Sequence, residues 1–212
     1  MKSVSVIDYD AGNTMSVMNA LKSLGVDVTL TNDPAKLIKA EHVIFPGVGA
    51  YADSMNKLKE YKLVEVVKEM IAKDTPFLGI CLGMQMLFEK SHETIGSDST
   101  DAVEGLGILR GSVKGFKELP DFSLKVPHMG WNSIDFAKKD CPLYKDIPNG
   151  SYVYFVHSFY LDATDRENVA TTTDYGISFD SSVSRGNVFG CQFHPEKSGD
   201  VGLQILKNFC DL

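Results

Sequence analysis

The chain has 212 residues, of which 43% are hydrophobic and 23% charged, a composition typical of a globular domain with a sizeable core. Its formal net charge is −7 and its basic residues form no stripe, which argues against partners such as nucleic acid or an anionic membrane. No apolar run is long enough to span a bilayer, and the first residues lack the apolar region of a signal peptide. With only four, widely spaced cysteines, we expect one cytoplasmic domain, residues 1–212, with reduced thiols and neither metal nor cofactor.

The first 80 residues alternate between strand-like and helix-like patterns. Short apolar runs predict strands at residues 3–8, 26–31 and 75–80, and residues 42–50 predict a third strand that runs into a glycine loop. Between them, apolar spacing predicts a helix from about Met15 to Leu24, a short helix introduced by Asp33 and Pro34, and a helix over residues 63–71. This order is typical of a parallel sheet with helices on both faces.

After about Gly105 the pattern changes to short β-like runs. They occupy residues 112–116, 131–136, 152–161, 168–175, 179–185 and 187–193. We expect these runs to form antiparallel strands added to the same unit, and a last helix to run from about Gly199 to Phe209. The polar segment 91–104 carries no motif. The predicted fold class is therefore α/β, a three-layer domain with a mixed, mostly parallel central sheet and helices on both faces.

A cysteine lies between two glycines where the fourth predicted strand ends, in the sequence GICLG at residues 79–83. This is the spacing of a nucleophile elbow, in which glycines permit a tight, strained turn that projects the nucleophile. A helix beginning after Cys81 would place the positive end of its dipole beside the thiol and favour the thiolate. A buried structural cysteine is an equally good interpretation of this segment alone.

A second motif, HPE at residues 194–196, follows the last β-like run and precedes the final helix. In an extended segment, residues two apart face the same way, so Glu196 can lie beside His194 and orient its imidazole. With Cys81, these two residues would make a nucleophile, a general base and an orienting carboxylate. A surface histidine next to a glutamate is common, so HPE alone is weak evidence for a catalytic pair. Together with the nucleophile elbow, the evidence is much stronger.

Residues 46–49, PGVG, follow the third predicted strand and are expected at the same edge of the sheet as Cys81. Glycines leave backbone N–H groups unshielded, and such groups can stabilise a developing oxyanion. The alternative is an ordinary strand-to-helix turn.

The motifs FPGVG, GICLGMQ and GCQFHPEKSG together closely resemble those of the class I (triad) glutamine amidotransferases. Three further motifs, YDAGN at residues 9–13, VPHMGWN at 126–132 and YFVHSFY at 154–160, resemble the glutaminase subunits of imidazole glycerol phosphate synthases. The resemblance extends from the first predicted strand to the last helix.

The resemblance implies a role for each matching residue. The catalytic triad would be Cys81, His194 and Glu196. The oxyanion hole would be formed by the backbone of Val48, Gly49 and Leu82. The glutamine-binding residues would be Gly49, Gln85, Ser158 and Phe159. The partner interface would include His128, Trp131 and Asn132. For His157, in an aromatic β-like run, a core, interface or ligand role stays open.

The resemblance also implies a heterodimer that acts on L-glutamine. Ammonia would pass to a (β/α)8-barrel cyclase that makes imidazole glycerol phosphate and aminoimidazole carboxamide ribotide in histidine biosynthesis. The chain has no phosphate-binding GxxxxGK[ST] loop and no length for an acceptor domain, which agrees with an acceptor on another chain. Three alternatives stay open: a paralogous glutaminase serving another synthase such as a surface-sugar amidating enzyme, a free-standing cysteine hydrolase of γ-glutamyl substrates, and an inactive binding subunit.

Overall fold

A computed structural model describes residues 3–93 and 102–212. Its strands are β1 Ser3–Ile7, β2 Asp27–Thr31, β3 His42–Gly47, β4 Phe77–Cys81, β5 Phe88–Ser91, β6 Val103–Glu104, β7 Leu109–Gly115, β8 His128–Ser133, β9 Asp135–Phe136, β10 Tyr152–His157, β11 Phe159–Ala163, β12 Val169–Asp174, β13 Ser178–Arg185 and β14 Val188–Cys191. Its α-helices are α1 Thr14–Ser23, α2 Pro34–Leu37, α3 Tyr51–Glu60, α4 Val64–Ala72, α5 Leu82–Gln85 and α6 Gly199–Cys210. Much of the polar segment 91–104 lies outside the described residues.

Twelve of these strands form one mixed sheet. Its parallel part has the order β2-β1-β3-β4-β14. Beyond β14 the sheet continues through β13, β11 and β7 by antiparallel pairing. The strand β14 therefore joins the two parts, because it pairs parallel with β4 and antiparallel with β13. The sequence had suggested only an antiparallel role for it.

Helices cover both faces of the sheet, so the predicted three-layer α/β fold is confirmed. On one face, α1 and α6 bury Leu21 and Phe209 together with Val6 of β1. On the other, α3 and α4 bury Leu58 and Met70. Successive strand residues point to opposite faces, which explains why the central strands are apolar along their whole length.

Two helices differ from the sequence prediction. The helix α3 was not predicted, because its polar residues outnumber the apolar ones that face the core. The helix after Cys81 has only four residues, and the chain re-enters a strand at Phe88. Among the residues that the structure describes, no helix is long and apolar enough to cross a membrane.

Candidate active site

The strands β4 and β14 bring two distant chain segments to one edge of the sheet. They run parallel, with Cys191 of β14 beside Ile80 of β4. Cys81 is the last residue of β4, and His194 follows β14 by three residues. The backbone N–H of His194 donates to the carbonyl of Tyr154 at 2.9 Å, which ties this segment to β10. The carboxyl ends of parallel strands are where ligands bind in open α/β sheets.

Cys81 has a strained backbone, with φ 54° and ψ −114°. A positive φ is uncommon for a residue with a β-carbon and is typical of functional sites held by their surroundings. The flanking glycines serve a different purpose, close packing. A β-carbon on Gly83 would clash with the carbonyl oxygen of Phe45, and one on Gly79 would lie 2.7 Å from the Cα of Met84. The predicted strained turn is thus present, but the strain is at the cysteine.

His194 and Glu196 form a buried pair, as their spacing predicted. The two side chains are 2% and 1% exposed, and Nδ1 of His194 lies 2.8 Å from Oε1 of Glu196. A carboxylate only accepts, so Nδ1 donates this hydrogen bond. The amide of Asn13 donates to the same oxygen at 3.5 Å. Nε2 of His194 makes no hydrogen bond of ordinary geometry to any described residue, which leaves it for the thiol and for substrate.

The surroundings of His194 favour its charged form. Burial alone would lower the pKa of the imidazole, but hydrogen bonding and charge interactions with Cys81 and Glu196 outweigh it and raise the pKa to about 10. At neutral pH, His194 is therefore an imidazolium next to the sulfur of Cys81. The helix dipole expected to assist Cys81 is small in comparison, because α5 aligns only four residues.

A cavity of about 360 Å³ opens beside Cys81 and His194. Every residue that the sequence assigned to the oxyanion hole or to glutamine contacts lines it: Val48, Gly49, Leu82, Gln85, Ser158 and Phe159. Glu196 lies behind His194 and does not line this cavity. The cavity is large enough for one small ligand, and its lining comes from segments more than 100 residues apart in the chain.

Gln192 connects the cavity lining to the thiol. Its Nε2 lies 3.6 Å from the sulfur of Cys81, and its Oε1 accepts from Nε2 of Gln85 at 2.8 Å. Nε2 of Gln85 also donates to the carbonyl of Phe159 at 3.1 Å. Gln85 therefore contacts Phe159 and Gln192 through its side-chain nitrogen.

A family model described as glutamine amidotransferase class-I matches residues 5–212. The chain belongs to the class I glutamine amidotransferase family. It is 46% identical to imidazole glycerol phosphate synthase subunit HisH of Moorella thermoacetica, over 100% of this chain and 96% of that protein. The protein of the same name from Methanocaldococcus jannaschii is 44% identical, over 99% of both chains.

Two solved structures illustrate how widely this fold occurs. PurLQS from Thermotoga maritima has a TM-score of 0.75 at 20% identity, over 100% of this chain and 99% of that chain. The glutaminase domain of Trypanosoma brucei CTPS, with bound acivicin, has a TM-score of 0.67 at 14% identity, over 100% of this chain and 94% of that one. At such identities the likeness establishes the fold alone.

The partner-interface residues expected of this amidotransferase occupy two different environments. Strands β8 and β10 form a separate two-stranded sheet, with Trp131 opposite Tyr154. Trp131 is 55% exposed, whereas His128 is 3% exposed and lies beneath the sheet. Asn132 is half-buried and donates to the carbonyl of Asp174 at 2.8 Å. Trp131 is therefore accessible at the surface, whereas His128 is enclosed by the protein and could affect a partner only indirectly.

Two residues of this amidotransferase site, Gln192 and Glu93, were not predicted from the sequence. Glu93 lines the cavity, accepts from the backbone N–H of Tyr51 at 3.1 Å, and has a pKa raised by burial. It follows β5 in a segment without a motif. Gln192 was visible only as a polar residue in an apolar run two positions before His194, a weak signal that a buried polar contact was needed.

Proposed function

We propose that this chain is the glutaminase subunit of an imidazole glycerol phosphate synthase, a single glutamine amidotransferase domain over residues 1–212. It hydrolyses L-glutamine to glutamate and ammonia. The observation that carries the proposal is the strained Cys81 beside the buried His194–Glu196 pair at one cavity. Full-length identity of 46% to a protein named as a subunit of that synthase favours this assignment over a free-standing hydrolase.

The reaction proceeds through a thioester. The sulfur of Cys81 attacks as the thiolate beside the imidazolium of His194, and it forms an S–C bond to the side-chain amide carbon of glutamine and an oxyanion. As the C–N bond breaks, His194 gives its proton to the leaving nitrogen and ammonia departs. His194 then takes a proton from water, whose oxygen attacks the thioester. Glutamate leaves, which restores the Cys81 thiolate and the imidazolium of His194, while Glu196 holds the imidazole by its Nδ1–H.

Backbone N–H groups of Val48, Gly49 and Leu82 stabilise the oxyanion in this proposal. Donors aimed at developing charge are a major source of rate in acyl transfer. Support comes from their shared position around the cavity and from Gly49, whose φ of +99° favours glycine. Leu82 begins α5, where the first N–H groups of a helix lack partners within the helix.

The amino-acid end of glutamine is held by Gln85, Ser158, Phe159 and the backbone of Gly49. These residues line the cavity with Cys81, and Glu93 adds a carboxyl group to the same lining. A carboxylate in a half-buried site suits the α-ammonium group of an amino acid. The substrate amide then extends toward Cys81.

The partner is a (β/α)8-barrel cyclase that forms a cytoplasmic heterodimer with this chain. Free ammonia is protonated in water, so its transfer requires a partner docked close to the cavity. The outer face of the β8–β10 sheet suits such docking, because Met129 and Tyr152 are 61% and 59% exposed beside Trp131. Val156, on the same face by the strand alternation, lines the cavity.

Replacement of Cys81 by Ala tests the proposed division of labour. We expect glutamine-dependent synthesis by the complex to be abolished, because the nucleophile is gone, while synthesis with added ammonium salt continues at the rate of the wild-type complex. Both rates are measured as product formation by the assembled complex. The matched control is Cys210→Ala, another buried cysteine at the far end of α6, which should retain both activities.

Equal loss of the glutamine- and ammonia-dependent rates in Cys81→Ala would contradict the proposal. Full glutaminase activity of the isolated chain, with no stimulation by a cyclase and its ribonucleotide substrate, would instead identify a free-standing hydrolase.

A further inference from the structure

Two buried histidines, His157 in the lining of the cavity and His128 beside it, have no part in the mechanism above. His157, at the end of β10, places its Nδ1 2.8 Å from the carbonyl oxygen of Phe159. Its Nε2 lies 2.8 Å from Nδ1 of His128 on the neighbouring strand β8. The two residues are directly opposite each other in the β8–β10 register. Buried polar side chains that form such a contact are held in a defined geometry.

The partners fix which ring nitrogens carry hydrogen. A carbonyl oxygen only accepts, so Nδ1 of His157 is the donor. Burial lowers the pKa of His157 to about 3 and that of His128 to about 4, so both rings are neutral at pH 7. Nε2 of His157 is therefore an acceptor, and Nδ1 of His128 donates to it. Nε2 of His128 then accepts from the amide of Asn132, at 3.4 Å.

The carbonyl of Phe159 connects this pair to the nucleophile. It accepts from both His157 and Nε2 of Gln85, which uses its two lone pairs. Nε2 of Gln85 also donates to Oε1 of Gln192, and Nε2 of Gln192 donates to the sulfur of Cys81. A continuous set of hydrogen bonds thus extends from the histidine pair to the thiol, through Phe159 and Gln85 of the cavity lining and through the buried Gln192.

Packing prevents the His128 ring from turning. It lies between the rings of Phe155 and Tyr175, with centroid distances of 4.8 and 3.9 Å and an interplanar angle of 24° to each. Such stacked contacts fix the plane of the imidazole. The donor direction toward His157 is therefore set by the protein interior and not by solvent.

We propose that His128 and His157 are positioning residues that hold the Phe159 carbonyl, and with it Gln85 and residues 158–159, in the orientation that glutamine binding requires. The inference rests on the proposed glutaminase function. Neither histidine touches the reacting atoms, so their effect is on the shape of the binding cavity.

Two variants of His157 separate positioning from bulk packing. In His157→Phe the donor to the Phe159 carbonyl is lost, and we expect the KM for glutamine of the complex to rise about tenfold with a smaller change in kcat. In His157→Asn the amide nitrogen takes the place of Nδ1 and keeps that donor, so the KM should return toward the wild-type value. His128→Phe keeps a ring between Phe155 and Tyr175 but removes the donor to His157, and should raise the KM less.

A wild-type KM in soluble His157→Phe and His128→Phe, with only thermal stability reduced, would overturn the proposal in favour of a structural role. If His157→Phe does not fold, His128→Phe decides the same question.

The tautomers provide a second test that needs no turnover. In ¹⁵N-histidine spectra of the wild-type chain at pH 7, both residues should be neutral with the hydrogen on Nδ1, and a hydrogen on Nε2 of His157 would refute the inference. Failure of the wild-type complex to hydrolyse glutamine would reject the proposed function while this measurement still stands. An active wild-type complex with an unaffected His157→Phe variant would reject only the positioning role.

Discussion

At the scale of single residues, the charge of Glu196 is one reason that His194 stays protonated. Burial works against the imidazolium, while Cys81 and Glu196 raise its pKa to about 10. In Glu196→Gln the side chain keeps an oxygen for Nδ1–H but loses its charge, so the pKa of His194 should fall, by about one unit or more. We expect the glutaminase kcat to fall on the order of 10²- to 10⁴-fold.

Two measurements check this prediction: the kcat of the assembled complex and an NMR titration of His194. The control is Glu167→Gln, the same change at an exposed position outside the cavity lining, which should alter neither. An unchanged pKa for His194 in Glu196→Gln would show that Cys81 alone sets its protonation.

The sequence predicted those residue contacts that depend on local spacing. Glu196 lies beside His194 because residues two apart in extended chain face the same way, and this prediction is confirmed. The chain of contacts from Gln192 to Gln85 and Phe159 joins residues up to 107 positions apart. No periodicity encodes such contacts, because they arise only when β4, β11 and β14 assemble.

At the scale of elements, the β8–β10 sheet has one face in the core and one in solvent. The buried face carries His128, Phe155 and His157, and the outer face carries Trp131 and Met129. The resemblance predicted a partner interface at this motif, but the sequence could not assign the faces of the sheet. Strand alternation separates Trp131 from His128 only once the paired register is known.

Trp131→Ala tests the outer face of this sheet as the docking surface. Tryptophan is enriched among residues that dominate binding, and truncating such a residue typically costs about 2 kcal/mol or more. The Kd for the cyclase should therefore rise about 30-fold, as measured by titrating the stimulation of glutaminase activity. The turnover at saturating cyclase should change much less, because Trp131 is not part of the cavity lining.

The control for Trp131 is Lys68→Ala on α4, which packs on the opposite face of the main sheet. Its exposed ion pair with Glu65 contributes little to stability. If Trp131→Ala and Lys68→Ala have the same Kd as the wild type, the partner docks elsewhere.

At the scale of the whole molecule, the parallel half of the sheet was predictable and its extension was not. Alternating strand and helix patterns in the first 80 residues, with strands apolar along their length, require helices on both faces. The β-like runs after about Gly105 do not alternate with helices, so the sequence could not determine which strands pair with which. The decisive pairing is β14 with β4, because it places His194 next to Cys81.

The fold also determines how stability depends on pH, because it lowers the pKa of some buried histidines and raises that of another. Burial lowers the pKa of His128 and His157 from 6.5 to about 4 and about 3. Below pH 6.5 the unfolded chain binds protons at these residues and the folded chain does not. The free energy of unfolding should therefore fall as the pH decreases from 6.5 toward 4, by up to about 1.4 kcal/mol per pH unit for each histidine.

His194 has the opposite sign, because its pKa is raised to about 10. Between pH 6.5 and about 10 the folded chain holds a proton that the unfolded chain has released, so its contribution to stability is present below 6.5 and lost as the pH rises. Stability should then be greatest near pH 6.5, in urea unfolding series from pH 4.5 to 10. His157→Phe should make the free energy of unfolding fall less steeply below pH 6.5, because one of the two histidines with a lowered pKa is removed. If the free energy of unfolding falls equally steeply below pH 6.5 in the wild type and in His157→Phe, then His157 is protonated in the folded protein.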